Sequence, residues 1–468
     1  MATRDSLRRI GSPGLLLALA GCVAYRAAPI DPGTSQASFA ARSLADPGLA
    51  AWARTELPPE RAFPPEQWDL RDLALAAFWF HPDVEVARAD AATAHAAIRT
   101  ASARPNPVLA FRPERVLNPD AGESAWIADV GIDLPIETNG KRDLRTERAR
   151  KLALAADVLV YETAWGVRSA VRASLADLLF ARREIELLEQ EEAPRREAQA
   201  LLEARLAAGE SSRPEVARAG IELARLEVEL RAARTRESEG LAALASAIGL
   251  PAAALAAAPL RWEGLEEPPP ESELDLARET GLLGRFDVRR QLLEYDAAEL
   301  DVRLEVAKQV PDVALGPGYV FDQGLRKLAF SFALPLPLLD RNQGPIAEAE
   351  ARRGASQARF LALQARASAE TERALARYRG ALEELAVARD LESRQRASGE
   401  AIERGFAAGA ADRLDVAATR AETAALALVS LQAAQRAQRA LGDLESALQR
   451  PLSGEPAMLG SLPDKGTP

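Results

Sequence analysis

Apolar residues alternate with small or polar ones in two stretches of the chain, and a very long helical pattern follows each. In the stretch from Pro311, Val313, Leu315, Tyr319 and Phe321 share one face, while Ala314, Gly316, Gly318 and Val320 share the other. After the turn at Asp322-Gln323-Gly324 the alternation resumes, with Leu328, Phe330, Phe332 and Leu334 opposite Lys327, Ala329, Ser331 and Ala333. A period of two on both sides of a short glycine-containing turn predicts a β-hairpin. Membrane-crossing strands need about 9–11 tilted residues, and the length and one-sided apolar face here suit that use. Pro335 and Pro337 stop the second strand, Gly344 breaks again, and the helix begins. The arrangement also occurs earlier. Pro107 to Phe111 opens a strand, and Trp126, Ala128, Val130, Ile132 and Leu134 then oppose Ala125, Ile127, Asp129, Gly131 and Asp133 before Pro135 and Asn139-Gly140.

The helical segments repeat as well. Helical patterning runs from near Trp68 past His81-Pro82-Asp83-Val84 to Ala103, and a helix spans about Asp143 to Ala208, with Pro194 expected to kink or interrupt it. Gly209 is the expected C-cap, and Ser211, Ser212 and Pro214 open a helix running to about Ile248. The second round has a helix over 273–310 broken near Gly284, a long helix from about Pro345 to Ala408, a turn at Gly409, and a helix from Asp412 to Gln449. Pro107 and Pro311 are 204 residues apart, Pro135 and Pro337 are 202 apart, and Gly209–Gly409 and Pro251–Pro451 are each 200 apart. Around the glycines, RLAAGESSRPEVA parallels GFAAGAADRLDVA. An ordered series with slowly drifting spacing indicates an internal duplication. The predicted organisation is a signal peptide over 1–21, an N-terminal linker over 22–65, a first repeat over 66–251 with its hairpin at 107–135, and a joint over 252–272. A second repeat over 273–451 follows with its hairpin at 311–335, and then a tail over 452–468.

Composition narrows the function. Alanine-rich sequence with 5% aromatic and 27% charged residues suits long solvated helices, and no run of 18 apolar residues offers a transmembrane helix. His81, His95 and Cys22 are too few for histidine or cysteine catalysis or for a metal site, and no nucleophile–base–oxyanion constellation is present. Gly316-Pro317-Gly318 lacks the Lys-Ser/Thr of a phosphate loop and reads as strand flexibility. No cofactor is expected. Arg4, Arg8 and Arg9, the apolar Leu15–Ala20 and the run Leu19-Ala20-Gly21-Cys22 read as a signal peptide with a lipobox. Cys22 would then be the lipidated first residue; the alternative is a signal peptide with an ordinary cysteine. Removing Arg4, Arg8, Arg9 and Asp5 takes the formal charge from -10 to -12, which disfavours nucleic acid as a partner.

Geometry then constrains assembly. A helix of about 65 residues is roughly 100 Å long and must pair along its length. The helix after each glycine turn covers half of it, and the helix before each hairpin, stacked end to end with that one, covers the rest. Four strands cannot close around a pore, whereas open sheet edges are prohibitive in lipid. Three chains supply twelve strands. The expectation is an α+β trimer whose long α-helical barrel continues into a transmembrane β-barrel, four strands per protomer, internally duplicated. A coiled-coil structural or adaptor lipoprotein of the periplasm is the alternative, and it would need no membrane-length hairpins.

The two hairpins, the run Leu134–Arg142, the run Leu336–Gly344, the paired Ala-Ala-Gly turns and the HPDV and RFDV openings resemble the TolC-type outer-membrane efflux proteins, in particular the lipoprotein channels of heavy-metal and drug exporters. The resemblance covers about residues 66–451. It implies a homotrimer in outer-membrane lipid, docked through a periplasmic adaptor to an inner-membrane efflux pump, conducting metal ions or small toxic compounds. It also implies adaptor docking at the tips formed by Gly209, Ser211, Ser212, Gly409, Asp412 and Arg413. In such proteins an Asp-Val-Leu-Asp-Ala run places two acidic rings at the periplasmic gate. Here Asp415-Val416-Ala417-Ala418-Thr419 keeps the first carboxylate and has Ala418 at the second. Glu215 and Arg218 hold the equivalent places in the first repeat, so Asp415, Glu215 and Arg218 are the gate candidates; Arg218, if it lies close, would pair with Glu215 or Asp415 and hold the entrance shut.

Overall fold

The computed structural model describes residues 25–269, 282 and 284–452. Cys22, the signal peptide, most of the stretch 270–285 and nearly all of the tail lie outside the described residues. The chain divides into two compact units, Met1–Arg42 and Ser43–Pro468. In the first, Asp31 caps helix α1 (Pro32–Ala40) by accepting from the Gly33 N–H at 3.1 Å.

The second unit begins with α2 (Pro47–Glu56), α3 (Leu70–Phe80) and α4 (Pro82–Ser102). Strands β1 (Val108–Arg115) and β2 (Trp126–Ile136) lead to α5 (Lys141–Ala208) and α6 (Arg213–Ile248). The second round is α7 (Phe286–Ala307), β3 (Val313–Asp322), β4 (Leu325–Ala333), α8 (Gln343–Ala407) and α9 (Arg413–Leu448). The four strands form one antiparallel sheet in the order β1-β2-β3-β4, so the two hairpins pair with each other through β2 and β3. Among the described residues no helix is long and apolar enough to cross a membrane.

Three boundaries correct the sequence reading. The stretch 22–65 is not an extended linker throughout. Asp46 caps α2 through the Leu49 N–H at 2.8 Å, and Leu44, Leu49, Ala53, Leu57 and Phe63 enter the core under α3 and α5. The helix from Trp68 to Ala103 is two helices, because His81 is extended and its Nδ1 accepts from the Asp83 N–H at 3.2 Å as the N-cap of α4. Burial holds the His81 imidazole below its ordinary pKa, which keeps it neutral and able to accept. At Pro194 α5 is not interrupted. The Arg195–Glu191 and Arg196–Glu192 pairs, at 2.5 and 2.6 Å, brace the turn from either side, and Leu188 locks it against Leu226 and Leu230 of α6.

The helices stack as geometry requires. Along α5 lie α4 and then α6; along α8 lie α7 and then α9. The end-to-end joint in the first repeat is tight. Gly249 ends α6 at φ 86°, and a Cβ there would meet the Phe80 carbonyl oxygen at 2.8 Å. In the second repeat Gln449 takes the same left-handed conformation at φ 51°, and its Oε1 accepts from the first N–H of α7, that of Phe286, at 2.5 Å. Arg285 binds the Ala447 carbonyl at 2.6 Å and the Asp287 carboxylate at 2.7 Å. The HPDV and RFDV openings are therefore the joints at which one helix continues the line of another.

The repeats are locked together by α5 and α9. Buried Arg172 bonds the Glu445 carboxylate at 2.9 Å and both the backbone and side-chain oxygens of Gln438 at 3.0 Å, while Arg168 lies 3.5 Å from Glu445. Gly442 leaves room for this, since a Cβ would stand 2.6 Å from the Arg172 guanidinium. The described part of the joint 252–272 is built into the same core. Leu255 is buried, the Trp68 N–H bonds the Pro259 carbonyl at 2.8 Å, and Trp262 lies over the Arg172 guanidinium.

Candidate functional site

The sheet has two chemically opposed faces, and its register fixes which residues sit side by side. One face carries the rows Leu109–Ile132–Pro317–Phe330 and Phe111–Val130–Tyr319–Leu328, with Leu134, Leu315 and Phe332 beyond them. These large side chains stand exposed, Phe330 at 83%. A contiguous apolar surface of this kind marks contact with a membrane or another protein. The opposite face carries Ala110, Gly131, Gly318 and Ala329 in one row, none larger than a methyl group. The next row holds Arg112, Asp129, Val320 and Lys327. Arg112 pairs with Asp129 at 3.5 Å and Lys327 with Asp322 at 2.5 Å. Asp133 shares this face. It lies beside Gly316, where a Cβ would meet the Ser331 hydroxyl and the Asp133 carboxylate. An apolar face backed by a polar and small-residue face is the alternation of a barrel that separates lipid from water.

At the other end of the long helices both hairpins reverse through glycine. Gly209 (φ 80°) and Gly409 (φ 74°) follow α5 and α8, and the next residue donates back to the helix in each case: Glu210 to the Arg205 carbonyl at 2.8 Å, Ala410 to that of Gly405 at 2.7 Å. A left-handed glycine with this back-bond satisfies the last carbonyls of a helix. The gate candidates begin the returning helices. The Glu215 carboxylate accepts from the Ser212 N–H at 2.9 Å and the Ser211 hydroxyl at 2.8 Å. Asp415 and Asp412 cap one another reciprocally, at 3.0 and 2.9 Å. The Ser212 N–H, followed by the serine hydroxyls, holds the Glu215 carboxyl below its ordinary pKa, and the Arg205 guanidinium does the same for Asp412.

Among the described residues Arg218 makes no close ion pair with Glu215 or Asp415, although its charge adds to the pull that keeps the Glu215 carboxyl low. Arg218 instead lines an open cavity of about 620 Å³ together with Glu215, Glu222, Leu414 and Ala418. Two ion pairs that sequence reasoning did not supply join the tips. Arg205 reaches Asp412 at 2.6 Å, and Arg413 reaches Glu197 at 2.6 Å. The parallel sequences around Gly209 and Gly409 were the available signal, since equivalent tips of one duplicated unit end at the same level. His95 pairs with Asp157 of α5 at 2.9 Å, and no cluster of three metal-ligating side chains occurs among the described residues.

A duplicated helical hairpin bearing a four-stranded sheet with one lipid-type face defines a class of membrane channel proteins. Residues 77–250 and 279–449 match the family model described as outer membrane efflux protein, and the chain belongs to that family, whose members are efflux channels and not enzymes. One relative is the cobalt-zinc-cadmium resistance protein CzcC of Cupriavidus metallidurans, 30% identical over 268 residues, or 55% of this chain and 60% of the relative. The matched chain thus spans about three fifths of that relative's length. Among solved structures, a membrane protein from Pseudomonas aeruginosa superposes with a TM-score of 0.65 at 21% identity, covering 81% of this chain and 93% of that one. The outer membrane protein VceC of Vibrio cholerae gives 0.64 at 21% identity, covering 82% and 97%. At these identities the likeness shows the fold.

Proposed function

We propose that three copies of this chain form a passive outer-membrane conduit in a tripartite exporter, receiving cargo from an inner-membrane pump through a periplasmic adaptor. The observation that carries the reading is the sheet register. A face apolar along its middle rows, with Arg115 and Arg326 only toward the β1–β2 and β3–β4 turns, an opposite face that holds the sheet's glycines and carboxylates, and strand edges on β1 and β4 without a partner among the described residues describe one third of a lipid-embedded, water-filled cylinder. Twelve strands from three chains close it without leaving an edge. The likeness to the cobalt-zinc-cadmium resistance protein of Cupriavidus supports cobalt, zinc and cadmium ions as the cargo. A conduit needs no tight site for them. The deciding experiment deletes the gene in its host and measures retained metal. Accumulation of all three metals, reversed by the intact gene, is expected; unchanged levels of metals, together with unchanged export of organic toxicants, refute the reading.

The tips around Gly209, Ser211, Ser212, Gly409, Asp412 and Arg413 are the adaptor-docking ends in this reading, because they lie at the far ends of the long helices from the sheet. Crosslinkers at Ser212→Cys and Asp412→Cys capture the adaptor; capture only from residues near Asp322 reverses the orientation. Asp415, with Glu215 and Arg218 nearby, supplies the acidic constriction. Asp415→Asn keeps an oxygen for the cap and removes the charge, so loss of divalent-cation block in planar bilayers reports on the constriction itself. Cys22 carries the lipid, and Cys22→Ala abolishes labelling by a palmitate analogue.

A further inference from the structure

The connection between β4 and α8 presents an apolar surface that nothing among the described residues covers. Residues 334–339 read Leu-Pro-Leu-Pro-Leu-Leu and lie outside every strand and helix. Leu338 is 74% exposed and Leu339 is wholly exposed at 101%. By the Pro135–Pro337 spacing, Leu336–Leu339 matches Leu134-Pro135-Ile136-Glu137 of the first repeat, which stays in β2 through Ile136 and has Glu137, bound to Arg145 at 2.7 Å, where the second repeat has Leu339. Both connections are anchored to one frame. Asn139 and Asn342 are each left-handed, and each donates its side-chain amide to a carbonyl in the last turn of α7, those of Ala307 and Glu305, at 3.1 and 2.7 Å. The two connections are thus held equivalently and differ in what they show to their surroundings.

We propose that residues 334–339 form a membrane-seating wedge that enters the boundary between acyl chains and headgroups in the phospholipid leaflet on the helix side of the sheet. The proposal rests on the reading of the sheet as membrane-embedded. Three observations carry it. First, the wedge is continuous with the lipid-type face: the exposed side chains of Phe330 and Phe332 lead directly into exposed Leu334, Leu336, Leu338 and Leu339. Second, its two prolines and one internal bond reduce the backbone donors it would expose to lipid. Pro335 and Pro337 have no N–H, and the Leu338 N–H is satisfied within the segment by the Leu336 carbonyl at 2.8 Å. Third, charge resumes at once where headgroups would begin, at Asp340 and Arg341.

The test uses the full chain in phospholipid vesicles, with Cys22→Ala so that a nitroxide probe stands alone. Probes are placed at Leu339→Cys, at Phe330→Cys as the sheet reference and at Ser212→Cys as the water reference. Their collision with oxygen and with a water-soluble nickel chelate is compared. Leu339 should favour oxygen over nickel in the manner of Phe330. A Leu339 probe that meets nickel as Ser212 does, or one shielded from both agents by a neighbouring copy, overturns the wedge while Phe330 still vouches for the sheet. Failure of Phe330 to meet oxygen removes the embedded sheet and the wedge with it. As a second measurement, the Leu338→Asp, Leu339→Asp double variant should insert into vesicles several-fold less completely, with an unchanged helical melt in detergent; equal insertion counts against the proposal.

Discussion

Gly249 and Gln449 occupy one position in the duplicated unit and satisfy it by different means. Gly249 adopts φ 86° without a Cβ, in a place where one would strike the Phe80 carbonyl. Gln449 accepts the left-handed strain and offsets it by capping α7. Gly249→Ala is expected to cost about 1–3 kcal/mol from the backbone conformation alone, more with the clash, seen as a fall in melting temperature of several degrees. Asp72 is the residue with a pH signature. Its side chain is fully buried, Arg61 reaches one of its oxygens at 2.8 Å, and the other oxygen has no partner. Burial, reinforced by nearby Asp69, outweighs Arg61 and raises its pKa to about 6. An acid raised on folding binds protons more readily when native, so its contribution to stability is present at low pH and lost as pH rises through 6. Wild type should therefore gain melting temperature relative to Asp72→Asn between pH 7.5 and 5. A constant difference across that range would show that Asp72 does not titrate there.

Among the elements, α5 and α9 depend on a shared buried charge. Replacing Glu445 with Leu leaves Arg168 and Arg172 without their carboxylate in a site 1% exposed at Glu445, and breaking such a pair costs about 3–5 kcal/mol. Denaturant unfolding of the variant in detergent should show that loss, with the sheet's strand signal retained longest. The strands and long helices were legible in the sequence because their periods differ and because proline and glycine punctuate every reversal. Helix α2 was not legible, since only Leu49 and Ala53 of its ten residues are buried, too short a face to stand out from the Pro-, Ala- and Gly-rich sequence around it. The break at His81 was hidden because Pro82 is as acceptable at the start of a helix as it is disruptive inside one. At the candidate gate the acidic positions were readable and their bonds were not. A capping box and a pore ring ask for the same residue at the same place, and the Arg205–Asp412 and Arg413–Glu197 pairs join residues 207 and 216 apart. Asp412→Ala removes both a cap and a cross-tip pair, so amide exchange at the start of α9 should quicken while the middle of that helix stays protected.

For the whole molecule, native mass measurement of the detergent-solubilised protein should give three chains, and a mass of one chain would remove the basis for the closed cylinder. The unpaired edges of the sheet carry a consequence beyond architecture. In the trimeric reading a single copy presents β1 on one side and β4 on the other, eight and nine residues of strand with no partner on the outer edge among the described residues. Such edges recruit whatever strand comes first, so an isolated copy is exposed to mispairing until its partners arrive. For an assembly of three, the waiting time lengthens steeply on dilution. The yield of working channels should then rise faster than in proportion to synthesis, and a cell producing the chain sparsely would lose most of it to proteolysis before assembly.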